Sequence, residues 1–113
     1  MKTKTKTKTI QRDSLAVPKP LSNAAAGLIR DTLEYHGFSQ LEAASAMKVS
    51  KSQLSDVIRQ RKRVSASLAL RFQFCFGIPA ELLIRLQADY DFQTAYHLKS
   101  PEIAAEVTRM VPN

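Results

Sequence analysis

The sequence predicts an all-α protein, a compact bundle of about five to six short helices. Three observations carry this. Helix-start signals recur at Ser39, Ser50 and Ser65, with Gly37 and Gly77 placed as stops. Apolar residues between them fall at spacings of three and four. No alternating apolar/polar run is long enough to argue for a strand.

From Ser22 the text "SNAAAGLIRDTLEYHG" offers two possible N-caps, sets Leu28, Ile29 and Leu33 at helical spacing, and ends on Gly37. The next segment, "SQLEAASAM", pairs Ser39 with Glu42 three residues on. That is the capping-box pattern, and Ala43, Ala44 and Met47 give the helix a narrow face of small residues. Ser50 and Gln53 repeat the box, after which Leu54, Val57, Ile58 and Arg61 share one side. Ser65 caps "ASLALRFQFCFG", whose inward stripe is Leu68, Ala69, Phe72 and Phe76. Pro79 reads as the first position of a fifth helix, with Leu82, Leu83, Leu86 and Tyr90 periodic along it. A sixth is expected from "SPEIAAEV", where Ser100, Pro101 and Glu102 supply cap, first residue and first-turn anion.

Two short helices, a three-residue turn holding Val49, and a second cap make the pattern of a helix-turn-helix. The helices must cross closely, and Ala44 is small enough to sit at the crossing. Met47, Val49, Leu54 and Val57 can then close a small core around it. With Leu54 and Ile58 inward, a rotation of about 100° per residue puts Ser52, Ser55, Asp56, Arg59 and Gln60 outward, with Lys51 beside them. A polar outer face is ordinary for a surface helix. Here the two serines are short enough for the backbone to approach a groove, while Lys51 and Arg59 are long enough to reach guanine edges or phosphates. Asp56 has three open roles: accepting from a cytosine amino group, bracing Arg59 or Lys51, or repelling phosphate. Arg61, Lys62 and Arg63 follow as a short basic run. Gln40 opens the first helix of the pair, where the terminal amides favour phosphate.

The charge agrees with an anionic partner: 17 Lys and Arg against 10 Asp and Glu, net +7 in 113 residues. Fourteen of the cations and five of the anions lie in residues 1–80, so the last third is mildly acidic. Cys75 is the only cysteine, which excludes an intrachain disulfide and a Cys-based zinc site. His36 and His97 are the only histidines and neither has a carboxylate at ligand spacing, so no catalytic constellation, metal or cofactor is expected. No apolar run approaches the length of a membrane span and no secretory signal follows the first cations, so a soluble cytoplasmic protein is expected. A membrane-surface role lacks an amphipathic helix with bulky apolar residues beside the charges. Single-stranded RNA needs a stacking platform, and the aromatic residues sit mostly at 72–76 and 90–96, away from the basic stretch.

Residues 1–21, beginning "MKTKTKTKT" and ending near Pro18 and Pro20, read as a flexible basic arm, either a solvated tail or a segment that touches DNA or a partner. Residues 22–97 are expected to form the helix-turn-helix domain with a C-terminal dimerisation helix, and 98–113 a short helix and tail. Leu83, Ile84 and Phe92 are the candidate dimer contacts, with plain core as the other reading.

The stretch "FSQLEAASAMKVSKSQLSDVIRQRKRVSASLALRFQFCFGIPAELLIRLQADYDFQ" resembles the Cro/repressor type of helix-turn-helix, a lambda-repressor-like fold. Within it the chain is most similar to the HigA-type antitoxins of bacterial toxin-antitoxin pairs. The matching positions are Ser39-Gln40, Ala44, Val49-Ser50, Ser52, Leu54-Ser55, Arg61-Lys62-Arg63, Val64-Ser65, Ala69-Leu70-Arg71, Gly77, Leu86-Gln87 and Tyr90-Asp91. The resemblance implies a homodimer that binds a palindromic double-stranded operator in its own promoter and neutralises a small ribonuclease toxin. Its place would be the bacterial cytoplasm, on the nucleoid when bound to DNA. A phage-type or general repressor without a toxin partner is the alternative. Three departures stand out. Lys48 replaces the usual turn glycine, so either a non-glycine residue adopts positive φ or the turn differs. Arg59-Gln60 replaces an Asn-Gly, which is expected to lengthen the recognition helix by a turn. The family's His-Pro-Gly-Glu opening is absent.

Overall fold

The computed structural model describes residues 17–20 and 22–112. Five helices follow one another: α1 (Ala24–His36), α2 (Gln40–Met47), α3 (Lys51–Ile58), α4 (Ala66–Phe76) and α5 (Ala80–Glu106). The described residues contain no strand, as the periodicity predicts. The Lys-Thr arm lies outside the described residues except for 17–20.

Each of the first four helices begins where a side chain satisfies its orphan amides. Asn23, rather than Ser22, caps α1, its Oδ1 accepting from Ala25 N–H at 2.9 Å. Ser39 and Ser50 cap α2 and α3 in complete capping boxes, and Ser65 caps α4. α5 takes its cap from another helix. Gln73 on α4 accepts from Ala80 N–H at 2.7 Å, and the helix starts one residue beyond the expected Pro79. Gly37 and Gly77 terminate α1 and α4 at φ 75° and 78°, the left-handed conformation that glycine adopts without a Cβ clash.

The described residues divide into two units, Ser22–Tyr90 and a second that holds residues 17–20 and 91–112. In the first, Ile29 and Leu33 of α1, Ala43, Ala44 and Met47 of α2, Leu54 and Val57 of α3, and Leu68, Ala69 and Phe72 of α4 enclose one core. Ala80 and Leu83 from the start of α5 complete it. Each fully buried large side chain, such as Phe72, Ile29 or Leu54, contributes about 1.5–3 kcal/mol. Leu83 corrects the dimer expectation: its side chain is fully enclosed within its own chain and presents nothing to a second copy. In the second unit His97 Nε2 lies 2.6 Å from the Val17 carbonyl, and Phe92 and Tyr96 rings meet at 5.9 Å.

The expected sixth helix is also corrected. Pro101 lies inside α5, which runs unbroken to Glu106. Proline gives up one backbone bond, to the carbonyl four residues earlier, but its φ is helical, and the helix-forming "EIAAE" that follows carries the helix onward.

Candidate nucleic-acid interface

In α2 and α3, Ala44, Met47, Leu54 and Val57 are buried in the same core cluster, and Val49 packs half-buried against that cluster. The small core expected around the motif is therefore formed. The turn joining the helices passes through Lys48 at φ 60°, ψ 41°. Its N–H donates to Ser45 O at 3.2 Å and the next, from Val49, to Ala44 O at 3.0 Å, a Schellman ending with lysine in glycine's place. Arg71 Nη1 closes the same end by donating to Met47 O at 3.0 Å. The turn geometry of a glycine is thus kept, and the lysine carries the backbone strain.

At the start of α2, Ser39 Oγ accepts from Glu42 N–H at 3.0 Å and the Glu42 carboxylate accepts from Ser39 N–H at 2.8 Å. The Ser39 backbone N–H foremost, and then the Ser39 hydroxyl, hold the Glu42 carboxyl below its usual pKa. Gln40 is half-buried in the first turn of this helix. On α3 the Ser50–Gln53 box closes at 3.0 Å in both directions. Lys51 and Ser52 are exposed, Ser55 and Asp56 half-buried, and Arg59, Arg61, Lys62 and Arg63 exposed. Among the described residues no ion pair joins Lys51 or Arg59 to Asp56.

α3 does not gain the extra turn expected from Arg59-Gln60. It ends at Ile58, and Gln60 adopts φ 63°, the second non-glycine residue with positive φ among the described residues. Arg61 consequently leaves the helical stripe on which its spacing had put it. The ending is again a Schellman motif: Gln60 N–H donates to Val57 O at 3.0 Å and Arg61 N–H to Asp56 O at 2.8 Å, with Lys62 N–H on the same carbonyl at 3.2 Å. Left-handed geometry here follows from the hydrogen bonds and not from glycine.

The sequence reading missed the residues behind this loop. Gln60 Oε1 accepts from Asn23 N–H at 3.0 Å. Gln87 Oε1 accepts from Asn23 Nδ2 at 2.9 Å and from Val64 N–H at 2.8 Å. Asn23, Val64 and Gln87 are each nearly inaccessible to solvent. One signal was available: Gln87 stands four residues after Leu83 on the inward face of α5, where an amide must find partners.

Geometry and comparison agree. No family model matches the chain. Virulence-associated protein I of Dichelobacter nodosus is 31% identical over 68 residues, 60% of this chain. The match spans 63% of the length of that curated relative. Among solved structures, antitoxin GraA superposes with a TM-score of 0.74 at 29% identity, covering 82% of this chain and 99% of GraA. GraA in complex with its operator is 33% identical, with a TM-score of 0.61, over 66% of this chain and 76% of that one. Antitoxin HigA of Pseudomonas aeruginosa, solved with the higBA promoter, gives 0.70 at 28% identity over 77% and 96% of the two chains. The chain belongs to the HigA-type antitoxin family of helix-turn-helix proteins. Of the positions that match that family, all but Asp91 lie in the Ser22–Tyr90 unit. In this HigA-type chain, Ile84 and Phe92 are exposed, unlike Leu83. Among the described residues no group of three or more His, Cys, Asp or Glu side chains gathers to hold a metal, and no helix is long and apolar enough to cross a membrane.

Proposed function

We propose that the chain is a sequence-specific DNA-binding repressor of its own operon and the antitoxin of a toxin-antitoxin pair, acting as a homodimer without enzymatic activity of its own. The observation that carries the DNA half is the continuous surface from Lys51 to Arg63. It joins a hydrogen-bonding helix face, exposed at Lys51 and Ser52 and half-buried at Ser55 and Asp56, to three exposed cations on a loop whose backbone is held by Asp56 O. Short Ser52 and Ser55 let α3 enter the major groove, Lys51 reaches base edges from the first turn, and Arg61, Lys62 and Arg63 neutralise phosphates. Gln40 adds a donor to the N-terminal amides of α2 at a further phosphate. Two copies related by a two-fold axis set their recognition helices about 34 Å apart, or a multiple of it, on a palindrome. Ile84 and Phe92 are the contacts assigned to that dimer.

The toxin half rests on the family. Its chemistry is a small ribonuclease whose activity belongs to the partner, and the working compartment of the pair is the bacterial cytoplasm.

Two measurements test the reading. Binding to duplex DNA should weaken steeply with salt, with log K falling by about 0.9 per neutralised phosphate for each decade of salt. Removing Arg61, Lys62 and Arg63 together should weaken binding and flatten that slope; an unchanged slope refutes the phosphate role. Co-expression with the neighbouring reading frame should yield a co-purifying basic protein, and its absence leaves a repressor without a toxin.

A further inference from the structure

The loop that carries the phosphate-binding cations is anchored from behind by three amide side chains, two of them far away in sequence. We propose that Gln60 is a positioning residue for DNA binding: its side chain, together with Asn23 and Gln87, fixes the path of residues 61–63 so that their charges are set before DNA arrives. The proposal rests on the DNA-binding reading above.

Gln60 occupies a backbone conformation that glycine would hold without strain. A glutamine there must offer something a glycine lacks. What it offers is Oε1, 3.0 Å from the N–H of Asn23, the residue that caps α1. At the far end of the loop, Val64 N–H is held at 2.8 Å by Gln87 Oε1, and that same oxygen accepts from Asn23 Nδ2 at 2.9 Å. Both ends of the loop therefore return to Asn23, one directly and one through Gln87. Between them lie only Arg61, Lys62 and Arg63, and the first two have their N–H groups on Asp56 O. With its ends and its early backbone fixed, the loop loses little freedom on meeting a phosphate backbone, and affinity gains from that preorganisation.

Gln60 touches no base or phosphate in this account. It acts through the loop, so its effect must be separable from stability. The test uses the full chain and a duplex that the unmodified protein selects from a random-sequence pool. Q60G and Q60N both tolerate positive φ, and neither reaches Asn23 N–H. Relief of the strain at residue 60 offsets part of the cost of leaving Asn23 N–H without this acceptor. Each should therefore melt within a few degrees of the unmodified protein and be fully folded at the assay temperature, yet bind the duplex about ten-fold more weakly, the equivalent of ordering one backbone residue on binding. In addition, removing Arg61, Lys62 and Arg63 should cost less affinity in the Q60G background than in the unmodified one, because the cations are already misplaced. Q60G and Q60N that bind as the unmodified protein does overturn the proposal. So does a loss of affinity that only tracks a fall in melting temperature, or a charge removal that costs the same in both backgrounds. If the unmodified protein selects no duplex, the DNA-binding reading itself has failed.

Discussion

Asn23 and Gln87, at opposite ends of the helical unit's sequence, are joined by a 2.9 Å hydrogen bond from Nδ2 to Oε1 inside the core. The bond ties the cap of the first helix to the last helix. Because Gln87 Oε1 also receives Val64 N–H, a single oxygen satisfies two buried donors.

Replacing Gln87 by methionine keeps the volume and removes that acceptor. Asn23 Nδ2 and Val64 N–H are then buried without this partner, at about 1–3 kcal/mol each. Q87M should lose about 2–4 kcal/mol in urea unfolding, more than an exposed substitution on the same helix. A loss below about 0.5 kcal/mol would mean that water or the neighbouring backbone takes over both bonds.

Lys48 offers the opposite sign. It holds φ 60°, and the Schellman bonds around it use only backbone atoms. A lysine pays about 1–2 kcal/mol to sit there, while glycine pays part of this back through a freer unfolded chain. K48G should therefore raise stability by about 0.5–1 kcal/mol, seen as a rise of a few degrees in melting temperature. A fall would show that the lysine stem contributes packing that outweighs the strain.

The capping box at the start of α2 is pH-sensitive. Glu42 accepts from Ser39 N–H at 2.8 Å and its pKa is lowered from 4.5 in the folded chain. A carboxyl with a depressed folded pKa contributes stability above its unfolded pKa and loses it as pH falls through the folded value. Melting temperature should drop as pH is lowered below about 4.5, and E42Q should remove that part of the drop while retaining the acceptor oxygen. Identical acid profiles for the two proteins would assign the drop to other carboxylates.

Much of the fold was legible because its determinants are local. The serine caps at 39, 50 and 65 and the glycines at 37 and 77 mark helix ends through bonds that span only a few residues. Reading failed where a distant partner decided the outcome. Gln60 looked like a helix-extending residue, yet its amide is tied to Asn23 across the unit, and Gln87 stood only among the positions that match the family, with no partner assigned to its amide. Leu83 looked free for a partner because sequence periodicity gives a face without saying which element covers it. Pro101 looked like a start because proline fits the first turn, but its φ fits a helix interior as well once the lost bond is tolerated.

Arg59 and Lys51 lie at opposite ends of α3, and position should divide their roles. In a helix-turn-helix the N-terminal residues of the recognition helix reach base edges. Lys51 and Ser52 occupy that end and are exposed, whereas Arg59 follows the last helical residue and leads into the Arg61–Arg63 loop. Lys51→Ala should relax preference at one base position, with about 1–3 kcal/mol of discrimination lost there and little change at others. Arg59→Ala should instead weaken binding to matched and mismatched duplexes alike and reduce the salt slope by about 0.9, the signature of one phosphate contact. Binding measured across a panel of single-base variants at several salt concentrations separates the two. A one-position loss for Arg59→Ala would move the base-reading surface toward the C-terminal end of α3, and the loop cations would then flank the reading head on the side of the groove where Arg59 enters.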